Sequence, residues 1–113
     1  MEKTDAVAAL GALAQHNRLD VFRLLVQAGP QGMPAGAVAD ALELAPNTLT
    51  FHFDRLRMAG LVAARRDGRS IIYAARYELM NALIAFLTEN CCRGACAPAA
   101  ARKPARKSAK VPA

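Results

Sequence analysis

The 113-residue sequence predicts a mainly α domain with a single β-hairpin, in the order α-α-α-α-β-β-α. Three observations carry that prediction. Apolar side chains recur at helical spacing up to residue 58, punctuated by Gly29-Pro30 and Ala45-Pro46. The pair Asp67-Gly68 stands between two short runs rich in small and β-branched residues, and residues 76 to 89 then return to a helical pattern. Period and punctuation together separate helix from strand.

Residues 5 to 14 form a short alanine-rich amphipathic stretch. A second helix follows over 17 to 28, with Leu19, Phe22 and Val26 on one stripe, and Gly29-Pro30 stops it. A third runs over 34 to 42. The fourth starts at Pro46, where proline suits the first helical position because its missing N–H has no intrahelical partner to lose. Within it Leu49, Phe53 and Leu56, at i, i+4 and i+7, face the core, which leaves Asn47, Thr48, Thr50, Phe51, His52 and Arg55 for other faces. Gly60 closes it as a C-terminal cap. Residues 61 to 65 and 70 to 74 then form two strands around a tight Asp-Gly turn. The last helix carries Tyr77, Met80, Ile84 and Leu87 on one stripe and Leu79, Leu83 and Phe86 on another. So broad an apolar surface needs two partners, its own domain and a second copy, so the expected assembly is a homodimer through the first and last helices.

A chain of this length holds one core, and no apolar run approaches the roughly 18 residues of a membrane helix. Met1-Glu2-Lys3-Thr4-Asp5 lacks a basic region followed by a secretory apolar stretch, so the expected location is cytoplasmic and no membrane partner is expected. The net charge is +6, but Arg102, Lys103, Arg106, Lys107 and Lys110 supply five of those charges, leaving +1 for residues 1 to 96. The expected organisation is therefore a folded domain over 1 to 92, a cysteine-rich segment over 90 to 96, and a basic disordered tail over 97 to 113. A thiol enzyme needs its cysteine on a phosphate-cradling loop or in Cys-x-x-Cys. Neither is present, and the chain is not expected to be an enzyme.

The third and fourth helices have the plan of a DNA reader. A short helix, a turn at Glu43-Leu44-Ala45 and a longer helix with small polar residues in its first turn match the helix-turn-helix, whose second helix enters the major groove. The hairpin that follows carries Arg65, Arg66 and Arg69 near its tip, so the whole reads as a winged helix. Asn47, Thr48, Thr50 and His52 are candidates to hydrogen-bond base edges or phosphate oxygens, and Phe51 to touch a thymine methyl. Arg55 and the wing arginines are expected mainly to set position on double-stranded DNA.

All three cysteines, Cys91, Cys92 and Cys96, fall within six positions just beyond the last helix. In a reducing compartment such cysteines are expected as thiols, and an odd number cannot all pair within one chain. Thiolates select soft ions, and three without a nearby histidine suit a trivalent metalloid such as arsenic or antimony. Zinc fits less well, since His16 and His52 are expected far away. On a continuous helix Cys91 and Cys92 point about 100° apart, so converging their sulfurs requires the chain to leave the helix, which Asn90 and Gly94 permit. Arg93 is placed to raise the thiolate fraction, so thiol oxidation is the second reading of this segment.

Leu13-Ala14-Gln15-His16-Asn17-Arg18-Leu19, Val38-Ala39-Asp40-Ala41-Leu42 and Leu56-Arg57-Met58-Ala59-Gly60-Leu61-Val62 resemble the ArsR/SmtB metalloregulatory repressors over about residues 5 to 92. The resemblance implies a winged-helix homodimer that occupies a palindromic operator and leaves it when inducer binds. Family members often have serine where Ala45 stands and a basic or glutamine side chain where Phe51 stands. The Cys-x-Cys pair that many arsenic sensors carry near the third helix is replaced here by Val38-Ala39-Asp40-Ala41, and the last helix lacks the histidines of the zinc sensors. Some arsenic-sensing members have a vicinal Cys-Cys and a third cysteine after the last helix, which Cys91, Cys92 and Cys96 match. The expected function is a repressor of an arsenic-resistance operon with no permanent cofactor, induced by trivalent arsenic or antimony. The alternative inducers are thiol oxidation or another soft metal such as cadmium or lead.

Overall fold

A computed structural model describes residues 1–94; Cys96 and the basic tail lie outside the described residues. Five α-helices surround one small sheet: α1 (Lys3–Leu13), α2 (His16–Ala28), β1 (Met33–Pro34), α3 (Ala35–Leu42), α4 (Pro46–Met58), β2 (Val62–Asp67), β3 (Ser70–Ala75) and α5 (Tyr77–Leu87), followed by a 3-10 turn (Cys91–Gly94). The predicted winged helix-turn-helix is thus present with one addition. Residues 33 and 34 pair with β3 and make the sheet three-stranded and antiparallel, in the order β1-β3-β2. Two residues have no periodicity, so no hydrophobic pattern announces this strand.

Gly32 admits it. Its φ is +75°, and a Cβ there would lie 2.2 Å from the carbonyl oxygen of Tyr73, so only glycine lets β1 approach β3. The wing hairpin closes with Asp67 opposite Ser70, which leaves Gly68-Arg69 as a two-residue loop. Gly68 has φ +64° and Arg69 is not left-handed, the pattern of a turn with glycine at its first central position. Asp67 therefore ends a strand instead of occupying the turn itself.

The core has the stripe expected of α4: Leu49, Phe53 and Leu56 are all buried. On α2 the buried set is Val21, Phe22 and Leu25, while Leu19 is exposed and Val26 half-buried, so the helix is rotated relative to the stripe read from the sequence. Phe53 stacks on Tyr73 with ring centres 3.6 Å apart and planes 6° from parallel, which fastens α4 to the wing. Tyr77 donates its hydroxyl to the carbonyl of Val26 at 2.9 Å and ties α5 to α2. On α5, Leu83 is buried, whereas Ile84 and Leu87 face outward with Val7 and Leu10 of α1. These are the helices on which a second copy was expected. Among the described residues no helix is long and apolar enough to cross a membrane.

Gly32→Ala should lower stability to chemical denaturation by roughly 1–3 kcal/mol, from the left-handed strain and the displaced Tyr73 carbonyl. An unchanged unfolding midpoint would mean that β1 does not pair closely with β3.

Candidate nucleic-acid interface and C-terminal thiol pair

Helix α3 ends at Glu43, which takes a left-handed conformation (φ +55°, ψ +47°) while the Leu44 amide donates to the carbonyl of Ala39 at 3.0 Å. That reversal, then extended Ala45 and Pro46 at the first turn, sets the start of α4. The amide of Leu49 donates to the carbonyl of Ala45, so the helix is closed from its first residue. Asn47, Thr48, Thr50, Phe51 and Arg55 are all exposed on α4. The Thr50 hydroxyl donates back to the carbonyl of Pro46 at 3.0 Å, which leaves it an acceptor for an outside group. Asn47 and Thr48 are open to solvent at the N-terminal end, the end a recognition helix presents to base edges.

His52 corrects the sequence reading. Expected on the DNA face, it is 5% exposed, and its Nδ1 has no hydrogen-bond partner among the described residues. Residue 52 lies three positions after Leu49 and four before Leu56, so it borders the core stripe and turns inward with it. Burial holds its pKa below the ordinary histidine value, and the positive charge of Arg18 pushes in the same direction. Arg18 itself is fixed by α1, with Nε donating to the carbonyl of Ala12 at 2.6 Å.

On the wing, Arg65 and Arg66 of β2 and Arg69 of the loop are exposed. Their registers differ: Arg65 opposes Ile72 and Arg66 opposes Ile71, so the two side chains leave opposite faces of the ribbon. A ribbon with cations on both faces and at its tip can meet phosphates on either side of the groove it enters.

The thiol segment begins where α5 stops. Asn90 (φ +58°) and Cys92 (φ +55°) are both left-handed, so the chain breaks from the helix as expected at Asn90, and it breaks again at Cys92. As a result Cys91 Sγ donates to Cys92 Sγ at 3.7 Å. Two thiolates on one ion at about 2.3 Å lie roughly 3.3–3.8 Å apart at bond angles of about 90–109°, so the pair is spaced to share one soft centre. The third expected ligand, Cys96, lies outside the described residues.

A helix-turn-helix domain family matches residues 13–65. The HTH-type transcriptional regulator YgaV of Escherichia coli is 32% identical over 87 residues, covering 77% of this chain and 86% of that protein. The transcriptional activator HlyU of Vibrio cholerae is 30% identical over 95 residues, covering 82% and 85%. This chain belongs to the helix-turn-helix transcriptional regulators of the ArsR/HlyU type. Its structure is similar to that of reduced HlyU from Vibrio cholerae, with a TM-score of 0.63 at 28% identity over 80% of this chain and 92% of the other. It is also similar to Mb0332 of Mycobacterium bovis, described as a homodimeric winged helix-turn-helix DNA-binding domain and a possible ArsR-family regulator. That match has a TM-score of 0.62 at 26% identity over 77% and 81% of the two chains. The protein is a DNA-binding regulator and not an enzyme.

The depressed His52 pKa gives a sign to the pH dependence. The unfolded chain takes up a proton near pH 6.5, whereas the folded chain resists it until lower pH, so stability should fall as pH drops below about 6.5. Thermal melting of the wild type between pH 7.5 and 5 should show this loss, and His52→Leu should flatten it. An equally steep loss in the variant would assign it to other groups.

Proposed function

We propose that this regulator is a homodimeric repressor of an arsenic-resistance operon, released from its operator when trivalent arsenic or antimony binds Cys91, Cys92 and Cys96. The observation that carries the proposal is the 3.7 Å approach of the Cys91 and Cys92 sulfurs across a doubly left-handed backbone at the end of α5. Soft donors held this close favour a thiophilic ion, and no histidine stands beside them in the sequence to complete a zinc tetrahedron. Asn47, Thr48 and Thr50 are the proposed base-side residues, with Arg55, Arg65, Arg66 and Arg69 on phosphates. His52 is reassigned to the support of α4.

Dimerisation supplies the coupling. Val7 of α1 and Leu87 of α5 are 62% and 59% exposed, an apolar face that a second copy covers. The homodimeric relative supports the same assembly. A ligand that folds the segment after α5 shifts that face and with it the separation of the two recognition helices, which must match half-sites about one helical turn apart. Coupling of ordinary size, about 1–3 kcal/mol, changes operator affinity roughly 5-fold to 150-fold.

A second reading, release by thiol oxidation, is supported by a relative whose structure is of its reduced form. The two separate experimentally. The triple variant Cys91→Ser, Cys92→Ser, Cys96→Ser should bind the DNA upstream of its own gene as the wild type does, yet fail to release it with arsenite. Release that persists places the inducer elsewhere, and release of the wild type by diamide but not by arsenite favours the redox reading.

A further inference from the structure

Helix α4 carries two arginines near its C-terminal end that are in opposite electrostatic circumstances. Arg57 is compensated, since its Nη2 donates to Asp54 at 3.2 Å. Arg55 has no carboxylate partner among the described residues. Its guanidinium carbon lies instead 5.0 Å from the centre of the Phe51 ring, one helical turn earlier on the same face. Phe51 is 51% exposed, an unusual place for a large aromatic side chain. The ring is nonetheless braced: it meets the buried His52 ring edge-on at 5.8 Å and 63°. Phe51 and Arg55 together line one side of a cleft of about 400 Å³ whose other side is Ala8, Gly11 and Ala12 of α1.

We propose that Phe51 is a positioning residue, a platform that holds the Arg55 guanidinium for one operator phosphate, and not itself a reader of a base. The proposal rests on α4 being the helix that meets DNA. A guanidinium lying over an aromatic face keeps its N–H edge free, and that edge makes the planar bidentate contact with phosphate. A long side chain already held in place also loses less rotamer freedom when it docks. The edge-on contact with the buried His52 favours one orientation of the ring, which makes it a better support than a freely rotating side chain.

The test is a double-mutant cycle on the intact dimer, using duplex from upstream of its own gene across a range of salt concentrations. Phe51→Leu should weaken binding roughly two- to five-fold per half-site. Arg55→Ala should weaken it further and reduce the salt slope by about one per half-site. Phe51→Leu combined with Arg55→Ala should be no weaker than Arg55→Ala alone, and Phe51→Tyr should restore the wild-type value. In the DNA-free protein the NMR signals of the Arg55 side chain should lose their ring-current shift in Phe51→Leu while the melting temperature holds, a change that a merely structural role would not produce. Phe51→Leu effects that persist undiminished in the Arg55→Ala background, or a tyrosine variant as weak as leucine, would overturn the platform alone. Unchanged affinity in both Arg55→Ala and Asn47→Ala would overturn the platform together with the reading of α4 as the DNA-facing helix.

Discussion

The stack of Phe53 on Tyr73 is the contact on which the rest of the domain depends. One ring belongs to the helix that presents Asn47, Thr48 and Arg55, and the other to the strand that leads out of the arginine-bearing wing. Both are buried among Val21, Leu25, Leu49, Leu56 and Val62, so the recognition helix and the wing move as one body. Burial of an aromatic side chain in such a site is worth about 3–5 kcal/mol against its removal to alanine. That is a large share of the stability of a small domain. The same strand accepts β1 on its other edge, where the absence of a side chain at Gly32 lets the two backbones approach.

From this rigid unit the structure reaches its C-terminal end through α5. Tyr77 fixes the start of that helix to the carbonyl of Val26, and Leu83 enters the core, whereas Ile84 and Leu87 leave it for the outer face. One end of α5 is therefore anchored to the DNA-binding body, and its outward side belongs to the surface proposed to meet a second copy. The thiol pair sits where α5 ends. A ligand there acts, in the proposed mechanism, through the relative placement of two rigid bodies and not by filling the groove. Such a device needs only a small displacement, because two half-sites must be engaged at once.

Much of this was legible in the sequence, and what was missed has local physical causes. Leu49, Phe53 and Leu56 announced the buried face of α4 because three apolar residues at helical spacing admit one orientation. The same rule misread His52: polar character pointed outward, while its position between Leu49 and Leu56 pointed inward, and position prevailed. Attention to spacing over residue type would have found it. On α2 two stripes were available, and packing chose Val21 and Leu25 over Leu19 because the side of the helix that faces β3 and α4 is set by tertiary contacts. The short strand β1 carried no period at all. At the thiols the need to leave the helix followed from the 100° between adjacent residues, and Asn90 signalled the place. The left-handed Cys92 had no such signal, being a conformation that a non-glycine residue rarely adopts.

In the proposed mechanism soft-ion binding at the end of α5 and loss of the operator are one event. Its most direct measurement is a titration of the reduced, operator-bound protein with arsenite that follows metalloid bound per chain and the fraction of DNA released in the same sample. Saturation is expected at one metalloid per chain, with release rising in step. Saturation of the thiols with the operator still fully bound would contradict it.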